Sequence, residues 1–213
     1  MNEKKIWLYG AGGHAAVVEA TLKKLNWEIA GAFDDNAKPG SQIIETNIIG
    51  DYTNLSTMYF SGMPDIHIAI GTNLIRKNLY EKLCALGFCF SKIVHPTAVI
   101  ELGSSIEAGS FIAANAVVGA RAQIGKACII NTAASVDHDC QLANFVHICP
   151  GVRLAGNVKV GELTTIGTGA VVIPGVKIGK NCMIGAGTVV LKDVPDNKRI
   201  VGNPGRLIQN KGV

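Results

Sequence analysis

Charge is in short supply in this sequence. Asp, Glu, Lys and Arg together make up 17% of its 213 residues, too few for a long coiled coil. Aromatic residues are rarer still, at 6%, so any core must be built from small and aliphatic side chains. No run of about 18 apolar residues occurs, and the sequence offers no membrane span. The six cysteines (84, 89, 128, 140, 149 and 182) include no Cys-x-x-Cys pair. They read as reduced, small fillers, and no Cys/His clustering points to a metal site. Met1-Asn2-Glu3-Lys4-Lys5 leads directly into a strand-like segment, without the apolar stretch of a signal peptide. A cytoplasmic protein is the expectation. The net charge is +4, a mild excess that steers anionic small molecules but is no basic stripe for nucleic acid. Apolar residues, at 48%, and glycine, with 25 residues, are plentiful. That composition excludes a disordered chain and leaves room for a sizeable core.

The chain changes character near residue 90, which predicts two domains, 1–90 and 91–213. In the first, Ile6 to Tyr9 reads as a buried strand, broken by Gly10 to Gly13. Ala15 to Leu25 carries apolar residues on one helical face. Ile29 to Phe33 and Asp65 to Ile70 read as further strands, and Leu74 to Leu86 as a helix closed by Gly87. This alternation predicts a small parallel sheet with covering helices, a Rossmann-like α/β domain. Between them, Ala37 to Met63 is ambiguous, with a short helix expected near Tyr52 to Tyr59.

The second part has a period of six. Every sixth residue from Val94 to Val190 is Ile, Leu or Val. Two positions earlier runs a column of small or β-branched residues, from Ser104 to Thr188. Glycine often follows the aliphatic position, as at Gly119, Gly125, Gly161, Gly167, Gly179 and Gly185, where unusual dihedrals are expected of it. Each six-residue unit is a short strand plus a corner, and three close one triangular coil of about 18 residues. The prediction is a parallel β-helix of five to six coils.

Gly10-Ala11-Gly12-Gly13-His14-Ala15 satisfies G-x-G-x-x-A between a strand and a helix, with Asp34 further on. Read literally, this is NAD binding and an oxidoreductase. The α/β part is only half of a full dinucleotide fold, however, and a helix N-terminus binds phosphate in general. A nucleotide diphosphate sugar therefore fits better, with Asp34 and Asp35 near the nucleoside. A plain tight turn is the bland alternative. Gly71-Thr72-Asn73 and Arg76 follow the third strand, at the sheet edge where ligands gather. Arg76 reads equally well as a surface charge.

The Gly-Gly-His loop together with the hexapeptide β-helix resembles the NeuD/PglD-type sugar O-/N-acetyltransferases over essentially the whole chain. The resemblance implies a left-handed β-helix, a homotrimer and acetyl-CoA as co-substrate. It also implies substrate contacts at Gly10, Gly12, Gly13, His14, Ile70, Gly71 and Asn73. A His followed by an acidic residue does the chemistry in this family, and His138-Asp139 matches that pair. Family members often carry Glu at the second position, and Asp137 is a rival partner for the ring. Imidazole suits proton removal from an attacking amine because it titrates near neutrality. Solvated histidines on a prism face are the bland reading. His147 matches a second His lining the thioester, while His67 and His95 read as structural. By coil position, Asn131, Gly156, Gly167, Thr168, Gly185 and Ala186 are candidates for acetyl-CoA, with Arg206 and Lys192 for its phosphates. A backbone N–H near Gly156 is the candidate oxyanion donor.

The function implied is N-acetylation of the 4-amino group of a nucleotide-linked 4-amino-4,6-dideoxy sugar (UDP-, GDP- or dTDP-) in bacterial glycan synthesis. O-acetylation of a sialic acid is one alternative. A nucleotide-sugar-binding scaffold with a purely structural β-helix is another.

Overall fold

A computed structural model describes residues 4–58 and 65–208. The chain divides into two compact units, Met1–Pro96 and Thr97–Val213.

The first unit runs β1 (Lys5–Tyr9), α1 (Gly13–Lys24), β2 (Glu28–Phe33), β3 (Ile48–Gly50), α2 (Tyr52–Thr57), β4 (Ile66–Ile68) and α3 (Asn73–Ala85). These four strands form one parallel sheet in the order β3-β2-β1-β4, and a further two-residue strand, Ile93–Val94, follows α3. Buried Tyr9, Phe33, Leu55, Ile66, Ile68 and Leu83 form a core on the sheet. Strand β3 is too short for the sequence pattern to disclose, and only its pairing with Ala32 and Phe33 makes it a strand. Helix α2 starts on a reciprocal cap. The Asp51 carboxylate accepts from the Asn54 N–H, and the Asn54 side chain accepts from the Asp51 N–H. The helix expected near Tyr52 to Tyr59 thus exists, although Tyr59 lies outside the described residues. Gly87 takes a positive φ of 85° just past α3, where a left-handed residue ends the helix.

The second unit is a stack of coils in which strand residues pair with those eighteen before and after them. Ser135 pairs with Val117 and Arg153, Gln141 with Gln123 and Lys159, and His147 with Ile129 and Thr165. Three flat faces result, each a ladder of two-residue parallel strands. The first face runs from Val99–Ile100 to Val189–Val190. The second runs from Ser105–Ile106 to Lys177–Ile178, and the third from Phe111–Ile112 through Met183–Ile184 to Arg199–Val201. Both sequence columns point inward: Val118, Val136, Leu154 and Val172 are buried, as are Ala116, Ala134, Val152 and Ala170.

The corners differ from the sequence expectation. The left-handed residue is the second of each corner pair, and it is glycine at some corners, such as Gly151 and Gly169, but another residue at most. Arg121, Asp139 and Asn157 have φ of 58°, 59° and 60°. The glycines after the aliphatic column meet crowding instead of providing dihedral freedom. A Cβ on Gly119 would lie 2.7 Å from the Asp137 carbonyl carbon, and one on Gly167 would lie 2.6 Å from Ile184 O. The cysteine reading also divides. Cys128, Cys140 and Cys182 fill the small column, whereas Cys84 and Cys89 are exposed. At the end of the second face, Val194 makes a single parallel bridge to Ile178, and Asp193 and Asp196 on either side accept from the Lys177 and Lys180 N–H groups. The chain then turns at Gly202–Gly205, and Arg206–Leu207 pairs antiparallel with Arg199–Val201.

Candidate active site

The carboxyl ends of β1, β2 and β4 open into a cleft of about 470 Å³. Gly10, Gly12, Gly13, His14, Asp34, Asp35, Ile70 and Gly71 all line it. Gly10 has φ 115°, and a Cβ there would come within 2.7 Å of Ala69 O, so only glycine fits between the strands. Gly12 caps α1 and Gly13 begins it; a Cβ on either would meet nothing within 4 Å. This is the open face of a helix N-terminus, suited to a phosphate.

The two aspartates do different work. Asp34 accepts from the backbone N–H groups of Ala11, Asn36 and Ala37 at 2.8, 2.8 and 2.9 Å, tying the β1 loop to the β2 loop. Asp35 is exposed at the rim. Its Oδ1 accepts from the Tyr9 hydroxyl at 2.6 Å and from the Tyr52 N–H at 3.0 Å. Burial, then the Asp35 carboxylate, raise the Tyr9 hydroxyl far above its ordinary value. Tyr9 lines the cleft, and the sequence reading had passed it over as a strand residue.

Asn73 does not line the cleft. It is buried behind the lining, where its Oδ1 accepts from Arg76 Nη2 at 2.7 Å. Arg76 is no surface charge, being 1% exposed. Its Nη1 donates to the carbonyls of Ile70 and Gly71 at 2.8 and 3.0 Å, which sets the shape of the loop after β4. His67 lies buried in β4, where burial lowers it to about 4 and Arg76 pushes the same way, consistent with a structural, neutral ring. His95 is likewise buried, and burial with the nearby Lys24 lowers it.

In the coil stack, Asp137-His138-Asp139 turns the corner between the first and second faces. The His138 ring is exposed, and its Nδ1 lies 2.8 Å from Asp139 Oδ2. A carboxylate can only accept, so Nδ1 carries the hydrogen, and in the neutral ring the lone pair falls on Nε2. Asp137 has a different task, its Oδ1 accepting from the His138 backbone N–H at 2.7 Å. One coil on, Gly156 lies against the ring: a Cβ there would come within 2.5 Å of His138 Cε1, and closer to Nε2. Gly156 thus makes room for the imidazole itself. One coil back, Arg121 grips Asp139 with two parallel bonds of 2.7 Å, Nε to Oδ1 and Nη2 to Oδ2. Arg121 first, then His138, holds the Asp139 carboxyl well below the usual carboxylate range. Sequence reasoning missed Arg121. The signal was present in its spacing, eighteen residues before Asp139.

The remaining candidates gather elsewhere in the stack. Asn131, Gly167 and Gly185 occur at eighteen-residue intervals along the edge between the third and first faces, with Cys149 completing the column. Thr168 and Ala186 stand beside them, and the Thr168 carbonyl accepts from the Gly187 N–H. Burial pushes the Cys149 thiol up to about 11, so it is a neutral group there. His147, on the third face, meets Asn131 with Nε2 3.3 Å from Nδ2. Arg206 and Lys192 are exposed near the end of the stack. The first-face strands Ser135–Val136 and Arg153–Leu154 lie between this edge and His138 and Gly156, which stand at the next corner of the coil. A single coil stack therefore does not bring the two sets together. Among the described residues, no group of three or more His, Cys, Asp or Glu is placed to hold a metal ion. No described helix is long and apolar enough to cross a membrane.

Residues 5–83 match the PglD N-terminal domain, and residues 157–192 match the bacterial transferase hexapeptide repeats. A GDP-perosamine N-acetyltransferase of Escherichia coli O157:H7 is 29% identical over 176 residues, 79% of each chain. Among solved structures, a His-to-Asn variant of perosamine N-acetyltransferase from Caulobacter crescentus, in complex with CoA and GDP-perosamine, is 35% identical. It superposes with a TM-score of 0.93 over 97% of both chains. The acetyltransferase domain of PglB from Neisseria gonorrhoeae, in complex with acetyl coenzyme A, is 37% identical. Its TM-score is 0.90, over 97% of this chain and all of that one. An α/β domain followed by a left-handed parallel β-helix is the fold in common.

Proposed function

This chain belongs to the PglD-type family of hexapeptide-repeat acetyltransferases, and on that premise we propose that it N-acetylates a nucleotide-linked amino sugar using acetyl-CoA. The α/β cleft takes the nucleotide. Its diphosphate lies over Gly12 and Gly13 at the start of α1, with the sugar toward His14. The acceptor is a 4-amino-4,6-dideoxy sugar. The relatives that act on or bind GDP-perosamine favour this class.

His138 is the general base. The observation that carries this role is the 2.8 Å contact of Nδ1 with Asp139, which turns the basic Nε2 away from its partner. As the amine attacks the thioester carbonyl, Nε2 takes its proton, and the C–S bond breaks as the tetrahedral intermediate collapses. CoA leaves as the thiol, receiving its proton from the imidazolium or from water. A backbone N–H near Gly156 steadies the oxyanion.

Acetyl-CoA lies along the edge of Asn131, Gly167, Thr168, Gly185 and Ala186, with His147 beside the thioester and Arg206 toward the phosphates. Because that edge stands a full face from His138, a second copy must supply it, and a homotrimer closes such contacts around the stack. Light scattering on the purified protein tests the trimer. Mixing a His138→Ala chain with a Gly167→Trp chain tests the shared site: part of the activity should return on mixing.

A thiol-release screen against GDP-, UDP- and dTDP-linked 4-amino sugars, with free sialic acid as the control, tests the reaction. CoA release that requires a nucleotide amino sugar is the expected result. Release with sialic acid alone would overturn the acceptor assignment. Nucleotide binding without any release would point to a scaffold.

A further inference from the structure

We propose that Arg121 is a positioning residue for the acyl-transfer step, holding Asp139 so that its carboxylate keeps the His138 ring in one orientation and one tautomer. The proposal rests on the reading of His138 as the base.

Arg121 and Asp139 occupy the same corner position in successive coils, both with left-handed backbone, φ 58° and 59°. Coils stack about 4.8 Å apart, so side chains leaving equivalent positions run side by side. The corner backbone is laddered as well, since Asp139 N–H donates to Ala120 O at 3.0 Å and Asn157 N–H to His138 O at 2.8 Å. Against this fixed frame the guanidinium binds both Asp139 oxygens at 2.7 Å, and the same Oδ2 meets His138 Nδ1 at 2.8 Å. Asp is a short side chain, and without a clamp its carboxylate is free to rotate away from the ring. The planar fork of arginine removes that freedom, which a lysine would not do.

The pair is solvent-exposed, and exposed ion pairs contribute little to folding. Two parallel bonds directed at a carboxylate that itself holds an imidazole are better accounted for by orientation. The other charged group at this corner, Asp137, is engaged with the His138 backbone N–H and does not compete for the ring.

The test combines kinetics with a spectroscopic readout. Arg121→Ala should lower kcat by about 10- to 100-fold, with KM for both substrates nearly unchanged. Asp139→Asn should do at least as much. The double variant should be no worse than Asp139→Asn alone, within about twofold, because Arg121 acts only through that carboxylate. ¹⁵N shifts of the neutral His138 ring, recorded near pH 8.5, should report the Nδ1–H tautomer in the intact enzyme and a mixture in Arg121→Ala. Additive losses, a change in KM alone or an unaltered tautomer would each overturn the proposal. If the tautomer changes while His138→Ala keeps full activity, the clamp stands and the base assignment falls.

Discussion

The His138 corner is built on backbone bonds that repeat at every coil, so Asp139 and Asn157 are laddered to Ala120 and His138 whatever their side chains. The loops of the α/β unit are built on charged side chains. Glu19, 1% exposed, accepts from the N–H groups of Ile44, Glu45 and Thr46 and from the Thr46 hydroxyl, all at 2.9 Å. Asp34 ties two loops together, and Arg76 pins a third. A periodic frame leaves its corner side chains available for chemistry. A frame made by side chains consumes them, and Asp34 and Asn73 are examples.

This contrast can be broken at four points. The largest effect is expected at Gly156. A valine there would displace the imidazole, lowering kcat by about 10²–10⁴, the usual worth of a general base. The fold should survive, because a side chain and not backbone is what yields. Thiol-release kinetics with a circular dichroism melt check both halves.

Next comes Arg76→Leu, which strands the half-buried carbonyls of Ile70 and Gly71 and the buried Asn73 side chain. It should destabilise the α/β unit by about 3 kcal/mol. Both tryptophans, Trp7 and Trp27, lie in that unit, so urea unfolding followed by fluorescence reports it alone.

Glu19→Gln should cost about 2 kcal/mol by the same measurement at pH 7. Burial alone would raise this carboxyl. The hydrogen bonds from Glu45, Ile44 and Thr46 outweigh burial and hold it below its ordinary 4.5. A depressed carboxyl stabilises the fold above its unfolded value, and that stability fades as pH falls through the folded value. The difference between native and Glu19→Gln chains should therefore shrink below about pH 4.5. A constant difference down to pH 3 would contradict the assignment.

The smallest effect is expected at Gly119→Ala, about 1–2 kcal/mol of overpacking against the Asp137 backbone. Far-UV circular dichroism should record it in the coil transition, with no change in the tryptophan transition.

The same contrast explains what could be read in advance. The coil stack was legible because each residue's surroundings repeat every eighteen positions. The inward columns, the eighteen-residue pairing and the exposed corner holding His138 all follow from the count. What period alone does not supply is side-chain reach: that Asp139 rather than Asp137 meets the ring, and that Arg121 meets Asp139. In the α/β unit the strands and helices were visible as apolar patterns, and the glycine loop was visible as spacing. The partners of Glu19 and the Ala11 partner of Asp34 were not, because they come from segments 25–27 and 23 residues away. Arg76 could be read equally as a residue at the ligand edge or as a surface charge, because helix spacing alone does not disclose the carbonyls of the β4 loop that it holds.

The account rests on an imidazole that removes a proton from an amino sugar at the corner of a six-residue-repeat coil. Single-turnover CoA release by His138→Ala, with a nucleotide 4-amino sugar at saturation, tests this most directly. The account predicts a rate lowered by about 10²–10⁴, with nucleotide-sugar affinity by calorimetry unchanged. A native rate in that variant would contradict it.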